Sequence, residues 1–266
     1  MYAFHYHRPA SVSEATSLAS QHAEGKILAG GMTLLPTMKQ RLAGPSDLID
    51  LSKLDELRGI EVKDGVVTIK AMTRHVTVAT SPEVRKAMPA LAEMAGMIGD
   101  PAVRNKGTIG GSVANNDPAA DYPSACLAIG ATIHTSKRSI KADDFFTGLF
   151  ETALEDGEII TSISFPIADK ANYQKFRNPA SRYAIVGVFV VKRGSEVRVA
   201  VTGAGNKGVF RAKDFEAALA ANFSPAALDG KSVPASQLNS DIHADADYRS
   251  HLISVIAKRA VAATAG

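Results

Sequence analysis

The sequence predicts an α+β fold, and three observations carry that prediction. Strand-like runs, "KILA" (26–29), "DLIDL" (47–51), "DGVVTIKAM" (64–72) and "EIITSISF" (158–165), are mixed with stretches that space apolar residues at helical intervals. The spacing lacks the regular strand–helix–strand repeat of a wound parallel sheet. From about residue 176 the character changes. "YAIVGVFVVKRG" and "EVRVAVTGAG" are two long β-type runs with helical patterns after them, which reads as a separate β-then-α domain.

Taken in order, residues 11–24 carry Val12, Ala15, Leu18, Ala19 and Ala23 at helical spacing, with Ser11 or Ser13 as the cap and Gly25 as the stop. "KILA" follows as a short buried strand. A helix is expected over 34–42, ended by Gly44-Pro45. Asp64-Gly65 is a hairpin-type turn entering a strand. Ser81-Pro82-Glu83 starts one helix with proline at its first position, and 89–98 forms another. A short helix at 123–129 and a strand near 131–135 come next. The two long strands pair across Gly194-Ser195; a helix at 212–220 and a closing amphipathic helix over 245–265 complete the chain.

Composition sets the bounds. The 266 residues, 45% hydrophobic and 21% charged, suffice for one or two domains with real cores. No apolar run approaches the roughly 18 residues of a membrane span, and the opening "MYAFHYHRPASVSEAT" lacks the apolar stretch of a signal peptide. A net charge of +3 with scattered Lys and Arg argues against a nucleic-acid partner. One cysteine, Cys126 in "PSACLAIGA", forbids an internal disulfide. It cannot by itself hold an iron–sulfur cluster, and its apolar helical setting marks it as a buried small hydrophobe. A cytoplasmic chain is expected.

Two glycine-rich corners carry the chemistry. In "AGGMTLLP" (29–36) a strand runs into Gly30-Gly31, and Thr33 begins an apolar-periodic segment. Glycine pairs at such corners either make a tight turn or let the backbone approach something closely; with a helix beginning at once, free N–H groups form an anion site. "RNKGTIGGSVANNDPAADYP" (104–123) repeats the device at Gly110-Gly111, flanked by Thr108 and Ser112, and adds Asn105, Asn115, Asn116, Asp117 and Asp121. It reads as a long loop pinned to a core by Ile109, Val113 and Ala114. Two such corners can grip the two phosphates of a dinucleotide.

"LAGGMTLLPTMKQRLAGPSDLIDLSKLDELRGI", "DPAVRNKGTIGGSVANNDPAADYPSACLAIGA", "GEIITSISFP" and "KFRNPASRYAIVGV" together resemble the FAD-binding medium subunit of molybdenum hydroxylases, nearest the carbon monoxide dehydrogenase type and more distantly the xanthine dehydrogenase flavin domain. The resemblance runs nearly end to end. It implies a vanillyl-alcohol-oxidase (PCMH)-type FAD-binding fold of two α/β subdomains, 1–55 and 56–175, plus a C-terminal domain, 176–266. Carried over by position, Ala29, Gly30, Gly31, Met32 and Thr33 would wrap the FAD pyrophosphate, lined by Ile27, Leu28 and Leu34. Thr108, Ile109, Gly110, Gly111 and Ser112 would form a second phosphate turn. Asp121 falls near the nucleotide part, Ile160 near adenine, Lys175 near the cofactor and Tyr183 near the isoalloxazine. Where many relatives have Gln, His or Asn followed by Ser, this chain has Met32-Thr33, so backbone amides must do more there. Asn115-Asn116 is a second departure.

The same resemblance implies electron transfer from a small [2Fe-2S] subunit and a large molybdopterin subunit through FAD to an external acceptor, in a dimer of heterotrimers, with membrane contact only through those partners. No residue is needed as nucleophile or base. Two alternatives of other kinds are a stand-alone flavin oxidase or reductase, which needs a further substrate domain, and a flavin-free binding protein, which flavin stoichiometry separates.

Other features have plainer accounts. "GAGNKG" (203–208) matches a dinucleotide fingerprint but lacks the following parallel strand, so it reads as a loop leaving the hairpin. The histidines, His5 and His7 included, show no metal-ligand spacing. Asp117 before Pro118 organises a turn. Lys175, read on its own, is a surface lysine; Tyr183, read on its own, packs on the core; Arg104 is a phosphate partner or a solvated side chain.

Overall fold

The computed structural model describes residues 1–264. The chain opens with β1 (His5–His7), α1 (Val12–Gln21), β2 (Lys26–Leu28), α2 (Leu34–Lys39) and β3 (Asp47–Asp50), and the three strands form a parallel sheet in the order β1-β3-β2. Ser11 caps α1 by accepting the Glu14 N–H at 3.1 Å. The helix stops at His22, three residues before the expected glycine, and α2 is shorter than the expected 34–42.

Two 3₁₀ turns lead to β4 (Ile60–Lys63) and β5 (Val66–Lys70), joined by Asp64-Gly65 with φ of 50° and 75°, the mirror-image turn that suits strand twist. A helical run follows: α3 (His75–Thr80), α4 (Pro82–Ala87), α5 (Pro89–Gly96), α6 (Pro101–Lys106), α7 (Ile109–Asn115) and α8 (Tyr122–Ile129). Then come β6 (Thr132–Thr135), β7 (Ser139–Lys141), α9 (Ala142–Phe145), the small ribbon β8 (Phe146–Gly148) and β9 (Glu151–Thr152), and β10 (Ile160–Pro166). The middle sheet is antiparallel in the order β4-β5-β10-β6-β7.

The third sheet takes β11 (Lys170–Arg177), β12 (Ala184–Arg193), β13 (Glu196–Thr202) and β14 (Phe210–Arg211) in sequence order, and α10 (Lys213–Ala221) and α11 (Ala246–Ala263) complete the chain. The end of the predicted closing helix, residue 265, lies outside the described residues. β12 and β13 pair across Gly194-Ser195 as expected. The run "AIVGVFVV" is continuous rather than alternating because β12 is covered on both faces. Phe189 and Val191 join the core of the middle sheet, while Val186, Val188 and Val190 join a second core with α10 and α11. A third, smaller core lies under α1 and β3.

One expectation fails here for a physical reason, and one grouping appears that no spacing could show. Residues 104–123 are largely helical: Ile109 and Val113, four apart, are buried on one face of α7, a period hidden by the intervening glycines and serine. The histidines are not all isolated. His7 and His22 close on Asp47, a grouping made by the fold from three separate segments and invisible as a spacing. Among the described residues no helix is long and apolar enough to cross a membrane.

Candidate functional site

The first corner begins where β2 ends. Gly31 has φ +70°, a conformation L side chains rarely adopt. Gly30 lies against the backbone of the second corner: an added Cβ would sit 2.8 Å from the Gly107 Cα and closer still to the Lys106 carbonyl. The Leu35 N–H closes the first turn on the Gly31 carbonyl at 3.1 Å. The N–H groups of Gly30, Gly31, Met32 and Thr33 have no backbone acceptor among the described residues, and Met32 and Thr33 are exposed. Thr33 does not cap α2 with its side chain, so its hydroxyl also remains available. The result is a row of unspent donors at a solvent-facing turn, which suits a multiply charged oxyanion.

The second corner accounts for its donors differently. Ile109 N–H goes to Thr73 O at 3.1 Å, Gly110 N–H to Ala71 O at 2.9 Å, Gly111 N–H to Thr108 Oγ1 at 3.2 Å and Ser112 N–H to Thr108 O at 3.0 Å. Ile109 and Gly110 are buried, and a Cβ on Gly110 would lie 2.6 Å from that of Ala71. This pair therefore seats the corner on the segment after β5. Gly111 and Ser112 remain partly exposed, and an added Cβ on Gly111 would come within 3.3 Å of Ala29. The corners thus interlock, Gly30 against 106–107 and Gly111 against Ala29. His75 lies beneath, its N–H on Gly107 O at 3.0 Å. Burial, reinforced by Arg104, pushes its imidazole down to about 4, so it is neutral at pH 7. Arg104 itself donates to Ile98 O at 2.9 Å and Gly99 O at 3.2 Å, and so braces the turn before α6.

Past α7 the chain is clamped from two sides. Asn116, left-handed at φ 42°, donates its Nδ2 to Gly148 O at 2.9 Å and Glu151 O at 2.8 Å, holding the β8–β9 ribbon. Thr202, at the end of β13, donates its hydroxyl to Ala120 O at 2.7 Å, and the Gly203 N–H reaches Pro118 O at 2.8 Å. "GAGNKG" is thus a tight exit from β13 rather than a helix start. Asp117 makes the expected turn, accepting the Ala119 N–H at 2.9 Å.

Asp121 is fully enclosed. It accepts hydrogen bonds from the Tyr173 hydroxyl and from Lys175 Nζ, the latter at 3.0 Å. Burial pushes its carboxyl up, and Lys175 and Tyr173 pull it back. Lys175 is not the surface lysine its sequence context suggests: only 2% of its side chain is exposed. It shares a face of β11 with Tyr173, two residues away, and both converge on Asp121. Tyr183, 46% exposed just before β12, is not a core strand residue. Partial burial and the carboxylates of Asp117 and Asp121 raise its phenol. Ile160 is buried at the start of β10, while Ile27, Leu28 and Leu34 are half-buried around the first corner. Cys126 is buried, and burial pushes its thiol up and out of reactive range.

The structure therefore gathers the two corners and sets the Asp121 cluster on the segment that follows the second. His75, Tyr173 and Thr202, which act through these, escape sequence reasoning, whereas Asn116 is visible there without its clamping role. Only Tyr173 left a signal, its two-residue spacing from Lys175.

The family described as FAD binding domain in molybdopterin dehydrogenase matches residues 2–168. The carbon monoxide dehydrogenase medium chain of Hydrogenophaga pseudoflava is 36% identical, over 97% of this chain and 96% of that one. The nicotine 6-hydroxylase medium subunit of Paenarthrobacter nicotinovorans is also 36% identical, with coverage of 97% and 96%. A solved structure of the Hydrogenophaga pseudoflava carbon monoxide dehydrogenase, lacking the Mo-pyranopterin moiety of its molybdenum cofactor, superposes with a TM-score of 0.88 at 37% identity, covering 98% of this chain and 96% of that one.

Proposed function

The chain belongs to the family of FAD binding domains in molybdopterin dehydrogenases, and from that membership we propose that it is the FAD-binding medium subunit of a molybdenum hydroxylase. The observation that carries the site is the row of unspent N–H donors from Gly30 to Thr33, interlocked with the second corner. FAD, when bound, supplies the electron-transfer chemistry between the [2Fe-2S] clusters of a partner subunit and an external acceptor.

The chain's own residues bind and orient. The amides of Gly30 to Thr33 and the Thr33 hydroxyl would hold the pyrophosphate, with Ala29, Ile27, Leu28 and Leu34 alongside. Gly111 and Ser112 would face it from the second corner, which Ile109 and Gly110 anchor to the core and Thr108 caps. Asp121, enclosed with Lys175 and Tyr173, would back the wall at the nucleotide end, as would the buried Ile160. Tyr183 offers its ring to the flavin.

A small [2Fe-2S] subunit and a large molybdopterin subunit complete a dimer of heterotrimers in the cytoplasm. With Cys126 alone, this chain has too few thiolates for a cluster. Relatives named for carbon monoxide and for nicotine match this chain at the same 36%, as expected if substrate choice lies in the large subunit. The first two sheets and their helices form the flavin-binding subdomains, divided near residue 55. The C-terminal domain is assigned to 176–266, and the third sheet associated with it starts with β11 at Lys170.

The test is flavin stoichiometry of the full chain after incubation with FAD and desalting. One FAD per chain is expected, and Gly31→Val should abolish it. Gly194→Ala, also at positive φ but with nothing within 4 Å of the new Cβ, should retain it. A folded chain that keeps no flavin, alone or co-expressed with its partners, overturns the proposal.

A further inference from the structure

On the first sheet three segments converge on one carboxylate. His7 closes β1, His22 caps the end of α1, and Asp47 opens β3. The His7 Nε2 lies 2.6 Å from Asp47 Oδ1 and the His22 Nδ1 lies 3.3 Å from Asp47 Oδ2. One ligand atom from each residue falls within 4.8 Å of the others. We propose that His7, His22 and Asp47 form a binding site for a divalent transition ion of the Zn²⁺ type, with solvent water as the fourth ligand.

The donor set argues for this class of ion. Two imidazoles and one carboxylate suit Zn²⁺, Ni²⁺ or Cu²⁺, whereas Mg²⁺ and Ca²⁺ require mostly oxygen ligands. Tetrahedral zinc bonds of about 2.1 Å place neighbouring donors roughly 3.4 Å apart, so the widest separation here must close by no more than about 1.4 Å. The imidazoles have that freedom: the side chains of His7 and His22 are 26% and 34% exposed, against 5% for Asp47. The fixed ligand is thus the carboxylate, and the open side gives the ion a path in and water a place to bind.

The surroundings support ligation. Ser46 donates its hydroxyl to Asp47 Oδ2 at 2.7 Å, the outer partner that orients a ligating carboxylate. The backbone is pinned around it. The His5 N–H reaches Ser46 O at 2.8 Å, and the Gly25 N–H reaches His22 O at 2.8 Å. The two imidazole rings stack with centroids 5.1 Å apart, so both already face the same carboxylate. A bound ion would tie the end of α1 to β1 and β3, and would stabilise the small sheet without touching the flavin corner.

The experiment uses the metal-stripped full chain, titrated with Zn²⁺ by calorimetry and followed by thermal unfolding, with Mg²⁺ as the control ion. One saturable Zn²⁺ per chain and an upward Tm shift are expected, both lost in His7→Gln and in His22→Gln, while FAD content stays unchanged in each. Zn²⁺ binding that survives in the double variant, or no saturable binding by the unmodified chain, overturns the site. Should a variant fold poorly, Co²⁺ added to the unmodified chain decides. Intense visible d–d bands at one equivalent mark a four-coordinate nitrogen–oxygen site and support the proposal; a weak six-coordinate spectrum refutes it.

Discussion

The two glycine corners look alike in sequence and behave oppositely in hydrogen bonding. Around Gly30-Gly31 the chain leaves consecutive N–H groups without acceptors at a turn whose Met32 and Thr33 are exposed. Around Gly110-Gly111 nearly every N–H is consumed, by the segment after β5 or by Thr108. A glycine pair therefore announces close approach but not what approaches. At Gly30 and Gly110 the neighbour is the protein's own backbone; at Gly31 the need is a positive φ. The first corner thus keeps free donors, while the second spends its own on packing against the core.

The comparison can be broken most severely behind the second corner. Lys175→Met would leave Asp121 enclosed without its cation, at a cost of about 4 kcal/mol in urea unfolding. The first corner contains no comparable ion pair. Gly110→Ala pushes a methyl into Ala71 and should cost about 3 kcal/mol, with flavin retention lost only as the fold is lost. Gly31→Ala should show the reverse balance: about 1 kcal/mol of stability from the strained φ, but a larger loss of FAD affinity, read by fluorescence titration.

His75 gives a pH-dependent version of the same contrast. Its folded pKa of about 4 lies below the ordinary 6.5, so the unfolded chain binds the extra proton between these values. Stability is then lost as pH falls through that window, by about 2 kcal/mol between pH 7 and pH 5. Replacing His75 with Gln should flatten that slope in denaturant titrations run at both pH values. The smallest effect sharpens the comparison best. Thr108→Ala removes the cap on Gly111 and should cost about 1 kcal/mol with little change in flavin affinity, whereas Thr33→Ala, which caps nothing, should leave stability within about 0.5 kcal/mol and weaken FAD.

Much of this was legible in the sequence. The Asp64-Gly65 turn, the hairpin across Gly194-Ser195, the proline-started helices and the burial of Cys126 all follow from local chemistry. The strands β1 and β4 and the helix α3 escaped because they are short, with little period to read. α7 escaped because glycine and serine interrupt its apolar face. Lys175 was misjudged because charge predicts exposure only where no partner is buried with it, and Asp121 lies 54 residues away in sequence. The grouping of His7, His22 and Asp47 is tertiary in origin and has no local signature.

The hold of β11 on Asp121 bears on how far this fold can be treated as modular. The family match ends at residue 168, before Tyr173 and Lys175. A cassette cut there and grafted onto another protein would carry both glycine corners intact. It would also carry a carboxylate stripped of its cation and its phenol, and a 118–120 segment no longer tethered to Thr202. Such a transplant would lack the wall behind its first corner, so the natural unit for engineering or exchange between relatives is the corners together with β11, β12 and β13 of the third sheet.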